Sequence, residues 1–211
     1  MKKTIIPILF ATPLFFAACG GAENEGETTD ADTTVVEEVE EVEVIVSNCT
    51  VDTAATVINW MAYSGEEIDH QGTVMALDGS FEVTKTGEDM AVTAANLNVD
   101  LNSINEESEK LVRHLKSPDF FDVNQFATAS FSFDRHEEGM IYGKANIVGK
   151  DLPVEAPVTL TETGEGVNVE VGEFKLDFSA LEMPFYIEDV KAPVEEQHDQ
   201  NIGFTATIVG K

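Results

Sequence analysis

From Asn48 onward the chain alternates apolar and polar residues in short runs broken by Gly, Asn or Asp. Thr56, Ile58 and Trp60 fall on one face of such a run, and Phe81 with Val83 on one face of another. Val154, Ala156, Val158 and Leu160 alternate, as do Val167, Val169 and Val171, with Thr163-Gly164-Glu165-Gly166 between them as a hairpin turn. Phe174, Leu176 and Phe178 follow, and Ile202, Phe204, Ala206 and Ile208 close the chain. A period of two marks a strand with one buried face, and its recurrence at short intervals predicts an all-β sandwich or barrel. Between Met90 and Leu101 the phase slips by one residue, from Val92 and Ala94 to Leu97, Val99 and Leu101, which predicts a β-bulge. About eight strands in an antiparallel meander can close on themselves, which removes free edges and encloses a space.

One segment departs from that period. Residues Glu106 to Lys116 predict the single short helix, with Leu111, Val112 and Leu115 on one arc and Lys110, Arg113 and His114 on the opposite side. Ser103 and Glu106 have capping-box spacing, and the acids at the start and bases at the end suit the helix dipole. Ser117-Pro118 stops the helix, because the proline ring disfavours helical geometry in the residue before it. Phe131 and Phe133 then return to the strand period.

The first 47 residues read differently. Lys2 and Lys3, the apolar stretch from Ile5 to Phe16 and Ala17-Ala18-Cys19 have the form of a secretion signal, residues 1–18, of the bacterial lipoprotein type. Cleavage before Cys19 and its acylation would anchor the protein in a membrane of the cell envelope, periplasmic or surface-facing, since two acyl chains hold stably. Residues 19–47 are expected to be a tether: Gly20 to Ser47 holds ten acidic residues, no basic one and no aromatic. Val42, Val44 and Val46 alternate with glutamates, so the end of the tether has the pattern of an edge strand. Residues 48–211 are then one domain, long enough for a sizeable core.

The net charge of −28 makes nucleic acid an improbable partner, because the chain repels phosphate backbones. With Cys19 acylated, Cys49 has no intramolecular partner, which leaves a structural thiol near a strand end, a homodimer link or a redox role. His70, His114, His136 and His198 are scattered without metal-ligand spacing, and no Gly-x-Ser-x-Gly frame or phosphate loop is present. No metal, cofactor or catalytic set is therefore assigned. Two constellations remain. Trp60, Phe81, Phe131, Phe133, Phe174 and Phe178 are candidates for the wall of an apolar cavity, with Phe120 and Phe121 read as wedging the helix against the barrel. Lys110, Arg113 and His114 are candidates for an anionic head group, against the plainer reading of a solvated helix end.

The run His114-Leu115-Lys116-Ser117-Pro118-Asp119-Phe120-Phe121-Asp122-Val123, followed by Ala129-Ser130-Phe131, resembles the signature of the YceI-like family. Val51-Asp52 with Thr56 to Trp60, His70-Gln71-Gly72 with Gly79-Ser80-Phe81, and Gly143 to Val154 resemble other family segments in the same order. The likeness spans about residues 49 to 211. It implies a lipocalin-like antiparallel β-barrel of about eight strands. It further implies non-catalytic binding or carriage of a long-chain amphiphile such as a polyisoprenoid, quinone or fatty-acid derivative. Members often carry Asp-Arg in the last third, whereas Asp177 is followed here by Phe178. That bulk fits a second reading, a structural or interaction lipoprotein with a filled barrel; a lipid-modifying enzyme is a third.

Overall fold

The computed structural model describes residues 3–7, 43–194 and 197–211. Cys19 and most of the expected signal and tether lie outside these residues. Ten strands form one antiparallel sheet: β1 (Lys3–Pro7), β2 (Glu43–Thr50), β3 (Val57–Ser64), β4 (Glu67–Thr86), β5 (Asp89–Glu106), β6 (Thr128–Glu137), β7 (Met140–Ile147), β8 (Lys150–Glu162), β9 (Val167–Asp177) and β10 (Asn201–Val209). The sheet order is β1-β2-β4-β3-β10-β9-β8-β7-β6-β5, and β4 also pairs with β5, so β3 to β10 close into a barrel. Val44 and Val46 of the tether's end lie in β2, while Val42 lies outside the described residues. β2 stands outside the closed ring against β4, and β1 on its other side means that it is not the expected edge strand.

Closure depends on β4, which is 20 residues long and has two partners along one edge. Its first half pairs with β3, from Ser64 opposite Glu67 to Ile58 opposite Val74. Its second half pairs with β2, from Thr50 opposite Ser80 to Val44 opposite Thr86. The chain end seals the junction: Thr50 and Lys211 exchange two backbone hydrogen bonds of 2.9 and 3.0 Å, and Asp52 N–H donates to the Val209 carbonyl at 2.8 Å. The phase slip in β5 is a bulge. Val83 faces Val92 while Glu82 faces Ala94, so Thr93 is the extra residue and the inward set becomes Val92, Ala95, Leu97, Val99 and Leu101. Such a bulge sharpens the local twist, which helps a sheet to curl into a barrel.

At one end of the barrel the connections are tight turns. At the other lie α1 (Glu109–Leu115), α2 (Pro184–Asp189) and a 3-10 turn, Phe178–Leu181. Four expectations are corrected here. The helix starts at Glu109, not Glu106, because β5 stays paired with β4 as far as Glu106 opposite Gly72. Ser108, not Ser103, caps it, accepting a hydrogen bond from the Leu111 N–H at 3.3 Å. The Ser103 hydroxyl instead accepts from the Met75 N–H at 2.7 Å and donates to the Asp100 carbonyl at 2.5 Å. Phe178 leaves the strand period, since the Asp177 carboxylate accepts from the Ser179 N–H at 2.9 Å and turns the chain. α2 is a second helix, opened by Pro184 at its first position, where a missing N–H costs nothing.

After Pro118 the chain folds back under α1. Phe121 N–H donates to the Leu115 carbonyl at 3.1 Å and Val123 N–H to the Lys116 carbonyl at 3.2 Å. Phe185 N–H donates to the Asp119 carbonyl at 3.0 Å, joining the two cap segments into one cover.

Candidate functional site

A cavity of about 430 Å³ runs along the barrel axis. It reaches from His70, His114 and His198 at the capped end to Val92, Ile141 and Ile208 near the turns. Its size lies within the roughly 300–1,000 Å³ usual for ligand pockets, and its wall is overwhelmingly apolar.

The barrel stays hollow although its inward face is rich in rings, and the reason is local. Gly72 is the cross-strand partner of Trp60, and a Cβ on it would lie 2.9 Å from two atoms of the indole ring. A Cβ on Gly143 would lie 2.6 Å from the Phe131 ring. Both rings occupy space against the wall that a side chain would otherwise fill. Large residues thereby line the interior without spanning it.

The mouth is closed by an aromatic cluster. Phe120 stacks on Phe185 with centroids 4.6 Å apart, and His114 meets both edge-on at 4.9 and 5.6 Å. Tyr186 and His198 contact Phe185 at 5.3 and 5.2 Å. Burial pushes the Tyr186 phenol pKa up to about 12, with Asp189 and Asp199 adding to the rise. Deeper, Phe174 stacks on Phe204 at 5.7 Å, and Phe178 meets Phe121 edge-on at 6.1 Å.

Of the expected wall residues, Trp60, Phe81, Phe131, Phe174 and Phe178 line the cavity. Phe133 does not: it packs against the core where β6 changes register on the way to the turn end. Phe120 and Phe121, read only as wedges, also line the space. The head-group set divides. His114 lines the mouth with Leu111 and Leu115, because positions i, i+3 and i+4 share a helix face. Lys110 and Arg113 are exposed on the other side, and Arg113 pairs with Glu109 at 3.7 Å. The helical-wheel grouping of His114 with those two bases is thus overturned.

Three of the four histidines border the mouth, each beside a carboxylate. His198 Nδ1 lies 2.7 Å from Asp189, His70 Nδ1 lies 3.4 Å from Glu106, and His114 Nε2 lies 3.5 Å from Asp119. These residues are far apart in sequence, and no local pattern brings them together. Phe185, Tyr186 and His198 were missed for the same reason. Cys49 is buried, and burial raises its thiol pKa. His136 lies away from the cavity; its Nδ1 accepts from the Val92 N–H at 3.1 Å, and burial lowers its pKa.

A closed antiparallel barrel with an apolar interior and a capped mouth defines a lipocalin-like architecture. Residues 49–207 match the model of the YceI-like domain, and the chain belongs to that family. The family-like run from His114 to Val123 is the end of α1 and its fold-back, and Gly143 to Val154 spans the β7–β8 hairpin. The crystal structure of Burkholderia cenocepacia BcnA is similar at TM-score 0.58 and 17% identity, covering 75% of this chain and 98% of its own. A polyisoprenoid binding domain from Saccharophagus degradans, implicated in plant cell wall breakdown, is similar at TM-score 0.55 and 12% identity, covering 77% and 97%. No curated protein sequence matches the chain.

Proposed function

We propose that the barrel binds a long-chain amphiphile non-covalently and carries or stores it, without turnover. The observation that carries this reading is the open apolar cavity, kept open by rings lying against Gly72 and Gly143. Burying a tail there gains roughly 25 cal/mol for each Å² of apolar surface removed from water, so no covalent bond is needed. The printed description of the Saccharophagus domain as polyisoprenoid binding supports an isoprenoid tail as one candidate. Acylation of Cys19 would place the barrel beside a membrane of the bacterial envelope, where such amphiphiles reside. The expected route is from bilayer to mouth, with the tail entering between the two cap segments.

Native mass spectrometry of the protein, released gently from the membranes of its own cells, tests this. A stoichiometric lipid mass is expected. Persistent absence of any adduct across mild preparations would favour a barrel that serves only as a structural or interaction module.

A further inference from the structure

We infer that the barrel selects an amphiphile with an uncharged, oxygen-bearing head and rejects the same tail carrying a phosphate or ionised carboxylate. This rests on the lipid-binding reading and narrows it to one chemical class. Among the described residues that line the cavity there is no lysine or arginine, while Asp69 and Asp199 both lie on the mouth. Lys110 and Arg113 are exposed on the other side of α1, so neither meets an anion entering the mouth. Each mouth histidine already faces a carboxylate, so any positive charge it carries is matched by a negative one. Two of those carboxylates, Glu106 and Asp189, have side chains only 8% and 7% exposed.

What the mouth offers is hydrogen bonding. Ionised Asp189 is an acceptor only, so His198 donates to it through Nδ1–H. In neutral His198 this leaves Nε2 as an acceptor, with no protein partner given to it among the described residues. Deeper in the barrel, the indole N–H of Trp60 is buried without an acceptor among the described residues. Trp60 pairs with Gly72 and Ala62 with His70, all four on one face of the sheet, so this donor lies one pair below His70. A hydroxyl head can donate to His198, and it can accept from Trp60 once the ring turns that closed-off N–H towards the cavity. A phosphate brings its charge up to Asp69 and Asp199, with no compensating cation.

Trp60 is the chain's single tryptophan and lines the cavity, so its fluorescence reads occupancy directly. The delipidated full chain is titrated at about pH 8 with three probes sharing one twenty-carbon isoprenoid tail: the alcohol, its monophosphate and the parent hydrocarbon. The alcohol is expected to bind tightest, with the phosphate weaker by about 10-fold or more. The double variant Asp69→Asn with Asp199→Asn is expected to narrow that gap several-fold by strengthening the phosphate alone; circular dichroism confirms its fold. Phosphate binding equal to or tighter than the alcohol, or a gap unmoved in the double variant, would overturn the inference while leaving lipid binding intact. A hydrocarbon that binds as tightly as the alcohol would remove the need for the oxygen. If none of the three binds, the carrier reading itself falls.

Discussion

Trp60 and Gly72 are direct cross-strand partners, and the indole ring of one occupies the place that a side chain on the other would need. Any side chain at residue 72 must push the ring inward or distort the sheet where it meets the Asn105 carbonyl. Gly72→Ala is therefore expected to destabilise the fold by about 1–3 kcal/mol, the usual cost of overpacking, and to narrow the cavity. Chemical denaturation followed by circular dichroism gives the first quantity, and the stoichiometry of a bound fluorescent fatty alcohol the second. Unchanged stability together with full occupancy would show that the ring has other room.

Phe185 holds the mouth together, because it touches Phe120, Tyr186, His114 and His198 at once. Each such aromatic pair contributes about 0.5–1.5 kcal/mol beyond simple burial. Phe185→Ala is expected to lower stability by about 1–3 kcal/mol and to speed release of a bound amphiphile more than it slows uptake. Stopped-flow Trp60 fluorescence separates the two rates. Equal release from the variant and the native protein would mean that the cap is not the gate.

Cys49 lies on β2 opposite Phe81 of β4 and is 2% exposed, and burial raises its thiol pKa. A raised pKa leaves less thiolate at neutral pH, and thiolate is the reactive form. In a Cys19→Ser variant, Cys49 is expected to resist an aromatic disulfide reagent in the folded state and to react on unfolding. Rapid native labelling would show local opening of the β2–β4 pairing, and it would revive the disulfide-linked dimer that the burial argues against.

What could be read in the sequence followed the range of the interactions concerned. Val154 to Leu160 and Val167 to Val171 announced their strands because a period of two is written within each segment. The slip in β5 announced a bulge but not its place, since Thr93 is the extra residue and Ala94, expected beside Val92, faces outward. The wall was read from Trp60, Phe81, Phe131 and Phe174 because strand alternation says which side faces in. Phe178 lines it from the 3-10 turn instead, and Phe133, on the same period as Phe131, does not line it. The openness of that wall could not be read, since it depends on which glycine each ring meets across the sheet. The mouth was harder still. His70 comes from β4, His114 from α1 and His198 from the segment before β10, and only the closed barrel places them together. α2 carried one local signal, Met183-Pro184 ahead of Phe185-Tyr186, which marks a helix start after the last but one strand. His114 was misplaced on the wheel because the charge pattern grouped it with Lys110 and Arg113, whereas spacing from Leu111 and Leu115 puts it inward.

Tyr186 gives the cap a signature in alkaline solution. Its phenol titrates near 12 in the folded chain, against about 10 for an ordinary tyrosine, because burial penalises the phenolate. Between those values the unfolded chain has lost the proton and the folded chain keeps it. The unfolded state then binds fewer protons, so stability falls as pH rises. This contribution is fully present below about pH 10 and is lost progressively towards pH 12. A shift of this size corresponds to about 3 kcal/mol. Tyr186→Phe is expected to remove that slope while leaving stability at pH 7 nearly unchanged, since the ring contacts with Phe120 and Phe185 persist. Urea midpoints of the two proteins from pH 8 to 11 measure the difference. Parallel curves would mean that the Tyr186 hydroxyl reaches water, and the cap would then be looser than its packing implies.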